Sequence, residues 1–150
     1  MKIGWDVSGL KIGLAIDQLI ERTAQGVADA CALIEADAVE RCPNGDHEGA
    51  DTVSLAQSIA TRVQVGGYNG AVVTGVVGTG LDYAIYVHEG TGIRSRTGMG
   101  RTHDLPWSYR DDAGNWHTTS GMQANPFMEQ AFDANRDKAK QIVKEAISGG

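Results

Sequence analysis

The stretch LKIGLAIDQLIERTAQGVADACALIEADAVER, residues 10–41, decides most of the fold. An apolar stripe runs through it in steps of three and four residues, which is the spacing of one helical face. Its members are Ile16, Ile20, Thr23, Val27, Cys31, Ile34 and Ala38. Ser8 offers an N-cap oxygen and Pro43 a stop, so we expect a helix of about 30 residues, or about 45 Å. A helix of this length exceeds what a small domain needs, and we expect tertiary or subunit contacts to support it.

Two strands are predicted after this helix. The segment Val53–Ile59 is expected to lead into the first strand, in which side chains alternate between two faces. One face of that strand would carry Ile59, Thr61, Val63 and Val65. Tyr68-Asn69-Gly70 is typical of a turn, and Ala71–Val77 predicts the returning strand.

A short helix and a hairpin are predicted next. By periodicity Tyr83–Val87 fits either a helix or a strand, and we favour the helix. Asp111-Asp112-Ala113-Gly114 has Asp and Gly where a tight turn requires them. This turn separates Trp107–Arg110 from Asn115–Thr118, so we expect these two segments to pair as an antiparallel hairpin.

The sequence ends in a second predicted helix. Asn125 is placed as its N-cap and Pro126 as its first residue. Its predicted buried stripe consists of Met128, Ala131, Phe132, Ala139, Ile142, Val143 and Ala146. Phe127 and Phe132 are expected to anchor it. The order of the elements predicts an α+β fold, with a long N-terminal helix and a C-terminal helix packed on a largely antiparallel β-sheet.

Length and composition limit the class of protein. The 150 residues fit a single domain that covers residues 1–150. The net charge of −6 disfavours nucleic-acid binding by the whole surface. No apolar run approaches the roughly 18 residues that span a bilayer, and Met1–Asp6 lacks a secretory pattern. We expect a protein that is made in the cytoplasm and has no membrane contact.

Residues at about 90–105 are predicted to form a long flexible loop, because they are rich in glycine and almost without large apolar side chains. Residues 90–110 contain four arginines and one aspartate, so their charge is 4 − 1 = +3, and −9 remains for the rest. We expect Ile93–His103 to be mobile in the isolated subunit and to become ordered against a partner. The predicted assembly contacts are Arg94, Arg96 and Arg101, since a guanidinium grips carboxylates with two hydrogen bonds.

No metal or cofactor site is predicted. His88-Glu89 lacks the second histidine that a zinc protease helix carries four residues after the first. The glycines of Gly75–Gly80 have the wrong spacing for a dinucleotide loop, and the acidic run Asp46–Asp51 lacks the ligand spacing of a calcium loop. Cys31 and Cys42 are expected as reduced thiols, because a single helix would hold them about 16 Å apart.

A small hydrolase stays open as an alternative. It would use His103, Asp104 or His117, with a serine as the nucleophile. No serine lies in the sharp turn that exposes such a nucleophile, so we favour a protein without enzymatic activity.

Three stretches follow one another in the second half: YAIYVHEGTG at 83–92, WSYRDDAGNWHT at 107–118 and GMQANPFMEQAF at 121–132. In this order and spacing they resemble a family of small siphophage proteins called minor tail, tail-completion or head-tail joining (neck) components. The resemblance is looser from the first helix through Ser58-Ile59. Residues 44–52 look longer and more acidic than the family's corresponding link.

The resemblance implies a structural subunit at the head-proximal end of a phage tail that helps to join the tail to the head. It implies no enzymatic activity and no cofactor. The implied partners are copies of itself in a ring and neighbouring tail and neck proteins. A hexamer is one ring size that the resemblance allows. The protein would be made in the host cytoplasm and end in the virion.

A nucleic-acid-contacting neck module is the other alternative. It would use the Arg94–Arg101 loop for transient contact with DNA in the tail lumen. Trp107, Tyr109 and Trp116 could stack on bases, but aromatic packing across the hairpin explains these rings more simply.

Overall fold

The computed structural model describes residues 7–43, 46–47, 50–68, 72–98 and 106–149. The chain divides into two compact units. Unit 1 comprises the residues up to 35, residues 61–77, and the residues from 135 onward. Unit 2 comprises residues 36–60 and 78–134.

Long helices occupy the two ends and short strands the middle. The elements in chain order are α1 (Val7–Arg41), β1 (Asp46–His47), β2 (Ala50–Asp51), α2 (Thr52–Ser58), β3 (Ala60–Gly66), β4 (Val72–Gly78), α3 (Ala84–Glu89), a 3-10 turn (Gly92–Arg94), β5 (Trp107–Arg110), β6 (Trp116–Thr119) and α4 (Phe127–Ser148). The strands pair as β1 with β2, β3 with β4 and β5 with β6. The predicted α+β fold, with two long helices and small antiparallel sheets, is confirmed.

Helix α1 confirms the prediction made from its apolar stripe. It begins at Val7, one residue before Ser8, so Ser8 lies inside the helix and is not its N-cap. Its other end is at Arg41, where Cys42 N–H still donates to the Ala38 carbonyl at 2.9 Å. Cys31 and Cys42 are both buried free thiols, and burial raises the pKa of each.

The segment before the first long strand differs from the prediction. Residues 52–58 form helix α2, where the sequence suggested the approach to a strand. Leu55 and Ile59 are 0% and 5% exposed and lie four residues apart, which is helical spacing. A run this short does not distinguish the helical period from the strand period, so the packing of these side chains determines which structure forms.

Strands β3 and β4 form the predicted hairpin of unit 1. The predicted turn residues Asn69 and Gly70 lie outside the described residues. Thr61 and Val63 are half-buried, as the alternation predicts, whereas Val65 is 51% exposed. A Cβ on Gly75 would overlap the Cys31 sulfur. The backbone of β4 therefore lies directly on α1.

Unit 2 contains the other predicted elements. Tyr83–Val87 was expected to be helical, and α3 covers Ala84–Glu89. The β5–β6 hairpin pairs antiparallel as expected, and residues 111–114 make its turn. Helix α4 begins after Pro126, and the Pro126 carbonyl accepts from the Gln130 N–H at 3.0 Å.

The anchor of α4 needs one correction. Phe127 is 1% exposed and Ala131 0%, whereas Phe132 is 50% exposed. Phe127 and Ala131 are four residues apart and share one helical face, which leaves Phe132 rotated away from the core. Phe127 therefore anchors this end of α4 without Phe132, although the sequence predicted that both rings would do so.

Candidate assembly surface

The three sequence stretches that carry the phage resemblance meet in unit 2. The end of α3 and the residues after it run beside the segment that links β6 to α4. Three backbone hydrogen bonds join them, from Thr91 N–H to Met122 O at 2.9 Å, from Ile93 N–H to Ser120 O at 3.2 Å, and from Asn125 N–H to Val87 O at 3.0 Å. The Thr91 hydroxyl also accepts from the Met122 N–H at 2.8 Å. We call residues 87–93 and 120–125 the junction.

Glycine makes this close approach possible at two places. Gly121 has a φ of +90°, and a Cβ there would overlap the Thr91 carbonyl oxygen. Gly92 has a φ of +60°, and a Cβ there would lie 2.7 Å from the Trp107 ring. Both conformations and both contacts exclude ordinary side chains, so the backbones and the Trp107 ring touch directly.

An ion cluster closes one end of the junction. The Arg96 guanidinium donates from Nε to Glu89 Oε2 at 3.3 Å and from Nη2 to Glu89 Oε1 at 3.1 Å. The same Nη2 lies 2.6 Å from Glu129 Oε2, in the first turn of α4. Arg96 N–H also donates to the Glu89 carbonyl at 2.8 Å. One guanidinium therefore ties α3 to the start of α4.

The electrostatics of the cluster favour its charged form. Glu89 is only 8% exposed, and the hydrogen bonds from Arg96 and then from His88 hold the pKa of its carboxyl below the usual range. Arg96 likewise lowers the pKa of Glu129, and the two carboxylates raise that of Arg96. His88 Nδ1 lies 2.7 Å from Glu89 Oε1, and its ring meets the edge of Phe127 at 5.6 Å.

The predicted assembly arginines have different positions. Arg96 belongs to the ion cluster, so within the subunit its guanidinium is engaged by Glu89 and Glu129, and its contact to a partner stays a prediction. Arg94 is exposed at the end of the 3-10 turn. Arg101 lies outside the described residues. The sequence could not identify Glu89 and Glu129 as partners of Arg96, because Glu129 follows it by 33 residues.

The predicted loop is anchored where it begins. Hydrogen bonds hold Thr91, Ile93 and Arg96, and Gly92–Arg94 forms a 3-10 turn. The mobility expected for Ile93–His103 stays a prediction. The part of the loop from 99 to 105 lies outside the described residues.

Beside the junction the β5–β6 hairpin lines a cleft of about 500 Å³, together with Thr91, Gly121 and Met122. Tyr109 and His117 are directly opposite on the two strands, and their rings stack with centroids 5.4 Å apart. His117 Nε2 lies 2.8 Å from Asp111 Oδ2.

The His117–Asp111 pair is where the structure comes nearest to the hydrolase alternative. A hydrolytic triad also needs a hydroxyl nucleophile that is hydrogen-bonded to the histidine. Among the described residues, no hydroxyl group is hydrogen-bonded to His117. Asp111 instead organises the hairpin turn, because its Oδ1 accepts from the Asn115 N–H at 2.7 Å. Hydrogen bonds from His117 and then from Asn115 lower the pKa of its carboxyl. His103 and Asp104, the other predicted candidates, lie outside the described residues.

Among the described residues, Tyr109 and His117 form a stacked ring pair across the hairpin. Trp107 pairs with Thr119, and Trp116 pairs with Arg110 on the opposite face. Trp116 is 73% exposed, so the expected ring cluster does not form and a large aromatic side chain stands open at the hairpin. Other large apolar side chains exposed in unit 2 are Val39, Ile85, Tyr86, Ile93, Tyr109 and Phe132, at 37–50%.

Within the part of the chain that the structure describes, no three His, Cys, Asp or Glu side chains are grouped to hold a metal ion. None of the described helices combines the length and apolar character needed to cross a membrane. Comparisons with protein-family models, curated proteins and solved structures gave no match to this chain.

Proposed function

We propose that this protein is a structural subunit of a phage tail or neck, which completes the head-proximal end of the tail and helps to join it to the head. One observation carries the proposal. The first and third stretches that resemble tail-completion proteins are joined by backbone hydrogen bonds at the junction of unit 2, and the Trp107 ring of the second lies against Gly92. A set of motifs that is assembled in space is a stronger sign of a shared design than three separate similarities along a sequence.

The surface around the junction suits binding to other proteins. Trp116 and Tyr109 are 73% and 49% exposed on opposite sides of a short hairpin, and Phe132 is 50% exposed on α4. Aromatic side chains are enriched in the central contacts of protein interfaces. Hydrogen bonds and the ion cluster fix the backbone beneath them, which reduces the entropy lost on binding.

The proposed partners are further copies of this chain in a ring and neighbouring tail and neck proteins. Arg94, Arg96 and Arg101 stay as proposed contacts of the basic loop, and within the subunit Arg96 also holds the base of that loop through Glu89 and Glu129. Contact with DNA would be transient and confined to the tail lumen. The protein would have its place in the virion, and it would act without a cofactor or a catalytic step.

Electron microscopy of a phage that lacks this gene tests the proposal. We expect heads and tails that fail to join, and wild-type protein supplied in trans should restore complete particles. Trp116→Ala, which removes an exposed ring, should fold normally but restore at least about tenfold fewer infectious particles, as truncating an interface anchor does. Normal joined particles without the gene product would refute the function, and full restoration by Trp116→Ala would refute the role of the hairpin.

A further inference from the structure

The apolar stripe of α1 loses its cover toward the N-terminal end of the helix. Ala38 and Ile34 are 0% and 8% exposed, but Ile16 at the other end of the same stripe is 48% exposed. Leu19, one turn further on, is 44% exposed. Among the described residues, the apolar pattern of α1 therefore continues past the part of the helix that is buried.

The reason lies in the antiparallel packing of α1 and α4 within unit 1. A Cβ on Gly26 would lie 2.5 Å from the Ala146 Cβ, so the helices are in close contact there. A Cβ on Gly149, just after α4, would lie 3.0 Å from Nη1 of the Arg22 guanidinium. Since α4 ends at Ser148, the part of α1 before Arg22, about 22 Å long, extends past the end of α4.

Charged residues flank this uncovered part. Asp17 and Glu21 are exposed and four residues apart, so they share one face of α1, about 100° around the helix from the stripe residues Ile16 and Ile20 that they follow. On the outer face of α4, Lys140 and Lys144 are also exposed and four residues apart. None of these four side chains has an ion-pair partner among the described residues. The two helices therefore offer opposite charges at the same spacing.

An apolar side chain accompanies each charged pair. Ile147 follows Lys144 by three residues, shares its face of α4 and is 45% exposed. On α1 the exposed apolar side chain nearest to the acidic face is Ile16, while Leu19 lies on the other side of the stripe. Within one subunit the two surfaces cannot meet, because α4 already packs against α1 at Gly26 and ends beside Arg22.

We propose that the uncovered end of α1 binds the C-terminal part of α4 in a second copy of this chain. Ile147 of one copy packs on Ile16 of the other, while the lysines of α4 pair with Asp17 and Glu21. The two contacting surfaces are different, so each copy can bind one neighbour through each surface. Repeated contacts of this kind produce a closed ring or an open filament. This contact would provide the self-association of the proposed function, and only its biological role rests on that function.

Charge reversal tests the contact in the full-length protein, with sedimentation velocity as the measurement. Wild type should self-associate. Asp17→Lys with Glu21→Lys, and separately Lys140→Glu with Lys144→Glu, should each weaken association by at least about a hundredfold, since like charges then face each other. Mixing the two reversed proteins in equal amounts should restore association, because every α1 surface then finds an α4 surface of opposite charge. Glu40→Lys with Asp82→Lys makes the same charge change at exposed positions of unit 2, outside the two contacting surfaces, and should have little effect.

Circular dichroism of each variant shows whether its helices are intact. A wild-type protein that stays monomeric overturns the proposal, as does association that survives both reversals. Failure of the mixture to associate, when each reversed protein is folded, also overturns it. If the protein self-associates but a phage that lacks the gene still forms joined particles, only the proposed function is refuted. The two failures are therefore distinguishable.

Discussion

At the scale of single residues, Arg96 shows how one side chain can define a local structure. Its guanidinium binds a buried carboxylate on α3 and an exposed one on α4, and its own N–H returns to the Glu89 carbonyl. From the sequence alone, Arg96 is a cation in a glycine-rich loop and is predicted to contact a partner subunit. Its pairing depends on Glu129, which the fold brings close from 33 residues away.

Glu89→Gln should make stability less sensitive to acid. The pKa of Glu89 is lower in the folded state than its ordinary value of 4.5. Its charge therefore stabilises the fold above about pH 4.5, and this contribution is lost as the pH falls through the lower folded value. Urea midpoints of wild type and Glu89→Gln should differ most at neutral pH and converge as the pH falls below the lowered folded-state pKa of Glu89. Glu129→Gln, at a half-exposed position, should show a smaller difference, and a gap for Glu89→Gln that is independent of pH would contradict the assignment.

Phe127 and Phe132 provide a matched comparison of burial. Phe127→Ala should cost about 3–5 kcal/mol, because the ring is fully buried, and should lower Tm by about 2–4 °C for each kcal/mol. Phe132→Ala should cost about 1 kcal/mol or less in the monomer, since half of the ring is already in water. Thermal melting at low protein concentration measures both. Equal losses would place Phe132 in the core after all.

At the scale of elements, the helices could be predicted from the sequence because each carries a long apolar stripe, and period 3.6 is unambiguous over many turns. The hairpins could be predicted because turn residues such as Gly114 mark them. Helix α2 was missed because seven residues do not establish a period. The junction was also missed, since its hydrogen bonds join backbones about 30 residues apart and depend on no side-chain pattern.

The junction predicts different costs for the same substitution at two glycines. Gly98 and Gly121 both have positive φ, but a Cβ on Gly98 would meet nothing within 4 Å, whereas one on Gly121 would overlap the Thr91 carbonyl. Gly98→Ala should cost about 1–2 kcal/mol from backbone strain alone. Gly121→Ala should cost a further 1–3 kcal/mol or so, because the junction must also open. Chemical denaturation measures the pair, and equal costs would show that the two backbones do not touch.

At the scale of the whole molecule, the helices cross the division between the two units. Helix α1 continues past residue 35 and α4 begins before residue 135, so each contributes to both units. The sequence predicted one domain from length alone. In physical terms, continuous helices give each unit a share in the stability of the other, because short helical fragments are marginal in water once their packing partners are lost.

The two units should therefore unfold together. Leu55, in unit 2, is 0% exposed, and Leu55→Ala should cost about 2–5 kcal/mol. If unit 2 melted alone, the last part of α4, about 14 residues, would have to persist without the rest of its helix, close to the limit for an isolated helix. We expect one transition in which far-UV circular dichroism and the fluorescence of Trp107 and Trp116 coincide, with Trp5→Phe as background so that emission reports unit 2. Leu55→Ala should shift both signals equally, and a calorimetric enthalpy equal to the van't Hoff value would support a single cooperative domain. Fluorescence that changes well before the helical signal would instead show two domains that fold separately.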